Sequence, residues 1–144
     1  MTTPIPTQII SSLITRLGTI KTSNGYLTTV GTIKSGMAAE EPLPDDTFPV
    51  ISIFSNSDEP VAGFFAYKRT LQLECIAKTT TSLDDLLSDL RNCLLQYPGQ
   101  RWLSDDLSVE DPEIGSATFQ PYPSGSEYFL MILIVSFNYS YHPE

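Results

Sequence analysis

Tyr128-Phe129-Leu130-Met131-Ile132-Leu133-Ile134-Val135-Ser136-Phe137-Asn138-Tyr139-Ser140-Tyr141 decides the fold. Phe129, Met131, Leu133, Val135, Phe137, Tyr139 and Tyr141 alternate without a break. That period of two sends every second side chain to one face of a strand. The other face carries Leu130, Ile132 and Ile134, then turns polar at Ser136, Asn138 and Ser140. A strand apolar on both faces for half its length is expected near the centre of its sheet.

A second long strand is read over residues 65–78. Tyr67, Leu71, Leu73, Cys75 and Ala77 share one face, interrupted by Arg69; Lys68, Thr70, Gln72, Glu74 and Lys78 take the other, interrupted by Ile76. Shorter extended stretches are read over residues 27–34, 48–54 and 117–122, with Gly31 as a bulge position and Pro49 tolerable at a strand start. Residues 55–63 read as a polar turn between the second and third strands.

Two helices complete the pattern. Ile9, Ile10, Leu13, Ile14 and Leu17 fall at helical spacing, with Thr7 as the expected N-cap and Gly18 as the stop. Ser82 is expected to open the second helix, whose buried stripe is Leu83, Leu86, Leu87, Leu90 and Leu94, joined by Cys93. Asp84, Asp85 and Asp89 resemble paired catalytic acids. The reading preferred is a helix face in solvent, with Asp84 and Asp85 near the positive end of the dipole. Helix, three strands, helix and two strands in that order give an α+β fold, a mixed and mostly antiparallel sheet with both helices on one face.

The chain has 144 residues, 41% of them hydrophobic and 17% charged. It is read as one domain, residues 1–144, long enough to bury roughly 70% of its unfolded surface without a staple. Eight basic side chains against 17 acidic ones leave a net charge of −9. That balance argues against a general nucleic-acid binder, whose affinity comes from cations on phosphates, and against a polybasic membrane-surface protein. No signal peptide is read at the N-terminus, and the longest apolar run, eight residues, is short of the about 20 a spanning helix needs. Cys75 and Cys93 are read as buried reduced thiols.

The residues nominate no chemistry. His142 is the sole histidine and is the third residue from the end, a poor place for a triad member. With no CxxC pair a zinc site of usual ligands is not assembled, and no phosphate-cradling glycine loop is present. Pro44-Asp45 upstream of Glu74 invites comparison with metal-dependent nucleases. Ile76 stands where their lysine belongs, and Lys78 is four residues on. The expectation is therefore no enzyme, no cofactor and no metal.

Two acidic loops, residues 35–47 and 101–125, carry Glu40, Glu41, Asp45, Asp46, Asp105, Asp106, Glu110 and Asp111. One reading is solubility through like charge. The other is an acidic wall past which a polyanion moves without sticking.

The first two thirds of the chain carry a resemblance. Asn24-Gly25-Tyr26-x-Thr28-x-Val30-Gly31 and Lys34-x-Gly36 follow the first helix. Leu43-Pro44-Asp45-Asp46-x-Phe48-Pro49-x-Ile51-Ser52-Ile53-Phe54 comes next, before the long strand and the Leu-rich helix. Over about residues 9–95 this resembles the tail-terminator, or tail-completion, family of long-tailed bacteriophages, the group that includes the minor tail protein U of lambda-like phages. The resemblance implies a structural virion protein at the head-proximal end of the tail, made in the host cytoplasm. It implies a homo-oligomeric ring, a hexamer by family habit, that caps the tail-tube protein, ends its polymerisation and offers a docking face to a head–tail connector or neck protein. DNA would pass through such a ring without specific binding, and no membrane is involved. The eight acids above are then candidates for the lumen or for docking. A ring closes through two different surfaces of one subunit, and a free strand edge is a ready joining device. The two long strands are the expected contact strands, through Lys68, Thr70, Gln72, Glu74, Ser136, Asn138 and Ser140. A head-completion or connector ring is the neighbouring alternative, and a small acidic enzyme or ligand-binding domain the remote one.

Overall fold

The computed structural model describes residues 3–36, 46–61, 65–95, 102–103, 109–121 and 127–140. Glu40, Glu41, Asp45, Asp105 and Asp106 lie outside them. The elements are α1 (Ile5–Leu17), a short 3-10 turn (Thr22–Asn24), β1 (Thr32–Ser35), β2 (Val50–Pro60), β3 (Ala66–Ala77), α2 (Thr80–Leu94), β4 (Glu113–Pro121) and β5 (Phe129–Ser140). The strands form one sheet in the order β1-β2-β3-β5-β4. β1 runs parallel to β2, and every other neighbouring pair is antiparallel. The fold is α+β.

Both helices contribute to one core with one face of the sheet. Ile9, Leu13 and Leu17 of α1 and Leu83, Leu86 and Leu90 of α2 are buried with Ile51, Ile53, Leu71, Leu73, Met131, Leu133 and Val135. The alternation read in β3 and β5 fixes this: their registers pair Leu71 with Val135, Leu73 with Leu133 and Cys75 with Met131, all inward. A smaller apolar corner forms on the other face from Val50, Ile76 and Leu130, flanked by Phe48, Tyr128 and Ile132. Phe48 and Tyr128 stack at 5.1 Å, and the Lys78 ammonium stands 5.0 Å from the centre of the Phe48 ring.

Several expected boundaries move, each for a physical reason. α1 begins at Ile5, ahead of the expected Thr7 cap, because Pro6 in the first turn has no N–H to satisfy and a φ already suited to a helix. α2 is capped by Thr79, whose hydroxyl accepts the Ser82 N–H at 3.1 Å. In the run Thr79-Thr80-Thr81-Ser82 every residue is a competent cap, so the sequence does not choose among them. Of residues 27–34, only the part from Thr32 joins the sheet. The expected turn at residues 55–63 is largely strand: β2 continues to Pro60, facing β3 down to Tyr67, with Asn56 as the extra residue of a bulge. β4 begins at Glu113, four residues before its expected start, and carries its own register shift between Ile114 and Ala117.

The helix ends are tied to one another. The Arg16 Nε donates to the Cys93 carbonyl at 3.0 Å, and the Cys93 thiol donates back to the Arg16 carbonyl at 3.4 Å. Trp102 donates its indole N–H to the Leu94 carbonyl at 3.2 Å. The bonds to the Cys93 and Leu94 carbonyls satisfy acceptors that the last turn of a helix otherwise leaves open, while the Arg16 carbonyl also takes the Thr19 N–H and hydroxyl. Cys75 and Cys93 are both free and buried, as the sequence reading expected.

Candidate functional site

The sheet face opposite the helices collects the nominated contact residues. Lys68 pairs with Asn138 and Thr70 with Ser136, while Gln72, Glu74 and Ser140 continue the same two strands on the same face. Seven residues chosen from two distant stretches therefore form one polar surface. Within it Gln72 donates to the Glu74 carboxylate at 2.8 Å, Thr70 and Ser136 lie 3.4 Å apart at their hydroxyls, and Lys68 reaches Glu113 on β4 at 3.4 Å. Glu74 is buried despite facing away from the helices.

The expectation that β3 and β5 offer free edges is corrected. β3 is bonded to β2 and β5, and β5 to β3 and β4, so both are interior strands. The edges belong to β1 and β4. For β5 the signal was present in the sequence, since a strand apolar on both faces for half its length is a strand with neighbours, whereas β3, polar on its second face, carries no such signal. The seven residues on β3 and β5 offer a face, not a pairing edge.

The described acids divide. Asp46 bonds the Lys34 ammonium at 2.8 Å and its side chain is only 8% exposed, so it is neutralised and turned away from solvent. That removes Asp46 from the acids able to line an open channel. Glu110 and Asp111 are exposed, just ahead of β4, where the Glu110 N–H donates to the Asn138 carbonyl at 2.9 Å.

Asp89 corrects the reading of the second helix as a solvated acidic face. Only 1% of it is exposed. Its carboxylate accepts the N–H groups of Leu27 and Thr28, at 3.0 and 2.8 Å, and the Thr28 hydroxyl at 2.5 Å. Position 89 lies three residues after Leu86 and four before Cys93, which places it on the buried stripe. That spacing is the signal that would have found it. The segment it fixes lies between the 3-10 turn and β1, beside a groove of about 700 Å³ whose walls include Asn24, Leu27, Asp89 and Arg91.

A second polar cluster sits at the far end of the helix-side face. Arg69 pairs with Asp58 at 2.9 Å and donates to the Ser55 hydroxyl at 3.3 Å. The Tyr139 hydroxyl donates to the same Asp58 oxygen at 2.6 Å, and its ring stacks on Tyr67 at 5.7 Å. Burial, reinforced by the hydrogen bond to Asp58 and its negative charge, pushes the Tyr139 phenol up to about 12. Burial also raises the Cys75 thiol, with the Glu74 charge adding to it, and raises the Tyr26 phenol, which additionally bonds Cys93. Arg69, which interrupts the apolar alternation of its strand, finds its reason in Asp58.

Among the described residues no group of three or more His, Cys, Asp or Glu is placed to hold a metal ion. Among the same residues no helix is long and apolar enough to cross a membrane.

No family model matches the chain, and no curated protein matches it. Several solved structures are similar to the chain, among them one with a TM-score of 0.53 at 11% identity, over 96% of this chain and 98% of that chain. At that identity the likeness concerns the fold alone.

Proposed function

We propose that the protein is a structural component of a long-tailed bacteriophage, a tail terminator that forms a ring on the end of the tail tube. On this reading it acts by assembly, not by catalysis. The ring stops tube growth and presents a docking surface to the neck, with DNA passing through its centre. Its place is the head-proximal end of the tail.

The observation that carries the reading is the meeting of the two halves of the motif. Asn24-Gly25 through Gly31 and Phe48-Pro49 are each ordinary turn and strand signals, but here they form one junction. Gly25 adopts φ 91° and closes the 3-10 turn. The Val30 N–H donates to the Ile20 carbonyl, and the N–H groups of Gly31 and Thr32 both donate to the Pro49 carbonyl at 3.0 and 3.3 Å. A Cβ at position 31 would lie 2.1 Å from the Thr47 carbonyl oxygen, so only glycine fits. The motif thus acts as one unit that starts the parallel β1–β2 pair. Among the described residues one sheet face carries no helix and the outer sides of β1 and β4 have no partner strand, which adds what a ring subunit needs, distinct surfaces for neighbours above, below and beside it.

The test is deletion of the gene in its phage, combined with native mass measurement of the purified protein alone and mixed with tail tubes. Overlong or uncapped tails, together with a closed oligomer near six subunits, are expected. Tails of normal length that fail to join heads would move the protein to the connector. A protein that stays monomeric at high concentration and in the presence of tubes would overturn the ring.

A further inference from the structure

The two edges of the sheet match each other. Among the described residues β1 is paired only with β2 and β4 only with β5. Followed strand by strand, the registers place them level. Thr32 lies in the row that ends at Gln120 on β4, and Ser35 lies in the row that ends at Ala117. The whole of β1 therefore stands opposite the last stretch of β4, across the width of the sheet. The register shift in β4 falls before Ala117, so this stretch is regular strand. Direction matches as well. One parallel and three antiparallel pairings in succession leave β1 and β4 running in opposite senses.

A second copy set beside the first, with its helices on the same side, consequently brings its β1 antiparallel to β4 at the same level. Antiparallel pairing is the more stable of the two ladder types. The side chains agree with it. Phe119, in the middle of that stretch, is 45% exposed, although it points to the helix side with Met131. It borders an apolar cleft of about 230 Å³ shared with Leu83 and Phe129. Ile33 occupies the same row and the same face at the opposite edge.

We infer that copies of this chain join edge to edge, β4 of one pairing antiparallel with β1 of the next over Ala117 to Gln120 and Thr32 to Ser35. Ile33 of the neighbouring copy covers Phe119 and its cleft. The joint is heterologous, so every added copy leaves one edge for the next until the circle closes. Closure into a ring rests on the function proposed above. The joint itself rests on the rows, the strand directions and the exposed Phe119.

Two paired-cysteine variants test it, Ser35→Cys with Ala117→Cys and Lys34→Cys with Thr118→Cys, each beside its two single variants. Cross-strand Cα atoms about 4.5–5.5 Å apart are within disulfide reach. The native Cys75 and Cys93 are buried and stay silent. The variants are oxidised at a concentration where native mass shows multimers of the wild type, with tail tubes added if the free protein is monomeric. The expected result is a reductant-sensitive ladder of covalent multimers from at least one pair and none from the single variants. Phe119→Glu added to that pair should abolish the ladder while circular dichroism shows the fold intact. Wild-type multimers with no ladder from either pair would overturn the edge joint and leave the ring standing. A wild type that is monomeric with and without tubes would overturn the ring and the joint together.

Discussion

Asp89 holds Thr28 twice, accepting its backbone N–H at 2.8 Å and its hydroxyl at 2.5 Å. The same carboxylate takes the Leu27 N–H, so one side chain of α2 fixes the segment that leads into β1. Hydrogen bonds to a charged group contribute about 1.5–3 kcal/mol each, less where water can replace the lost partner. Leu27 is exposed and its N–H can turn to water, so the loss is not the full sum. Asp89→Ala is expected to lower unfolding free energy by about 2–4 kcal/mol in urea titration. Asp89→Asn keeps one acceptor oxygen and should lose clearly less. A change within about 0.5 kcal/mol for the alanine variant would show that the carboxylate does not organise the segment.

Gly31 is constrained by approach, not by a left-handed backbone. Its neighbour is the Thr47 main chain, which cannot swing aside as a side chain can. Gly31→Ala should therefore cost about 1–3 kcal/mol and loosen the β1–β2 pair. Hydrogen exchange checks this. The Gly31 and Thr32 amides, both bonded to the Pro49 carbonyl, should lose protection ahead of those in β3. Equal protection in the variant and the wild type would refute the crowding.

Much of this architecture was legible because its core strands announce themselves. In β5 the alternation from Phe129 to Tyr139 fixes both the strand and its buried face. Leu83, Leu86, Leu87 and Leu90 do the same for α2. What stayed hidden depended on partners far along the chain. Asp58 and Glu59 look like turn residues until Arg69 and Lys68 stand opposite them on β3. Asp46 counts as an acidic loop residue until Lys34 neutralises it. Sheet order was the largest gap, because the two apolar faces of β5 mark it as interior while the polar second face of β3 says nothing of its place, and only pairing shows that β1 and β4 are the edges.

Leu133 and Leu87 separate two depths of the same core. Leu133 is fully buried in the middle of the sheet, and Leu87 lies at the margin of the α2 stripe, 9% exposed. An unpaired carboxylate at Leu133 has no route to water, and its burial costs more than the about 5–15 kcal/mol that stabilises a domain. Leu133→Asp should yield no folded protein. Leu87→Asp should also unfold at neutral pH and should recover structure more readily on acidification, because a protonated carboxyl at the margin is cheaper to bury. Circular dichroism and solubility across pH read both. A folded and soluble Leu87→Asp at neutral pH would contradict the burial of that helix face.

Tyr139 makes alkaline stability depend on one proton. In the unfolded chain a phenol titrates near about 10, whereas in the fold burial and the Asp58 carboxylate hold Tyr139 up to about 12. Below the lower value both states keep the proton and the stabilisation is complete. Between the two, the unfolded state has released a proton that the folded state retains, so stability falls as pH rises and the contribution is gone above the higher value. Tyr139→Phe lacks this proton. At neutral pH it should be less stable than wild type by about 1.5–3 kcal/mol, the value of a hydrogen bond to a charged acceptor. The gap should then narrow steadily from about pH 10 to about pH 12. The remaining tyrosines are common to both proteins and cancel in the difference. Denaturant midpoints of the pair measured across that range decide the matter, and a gap independent of pH would show that Tyr139 does not carry the shifted proton.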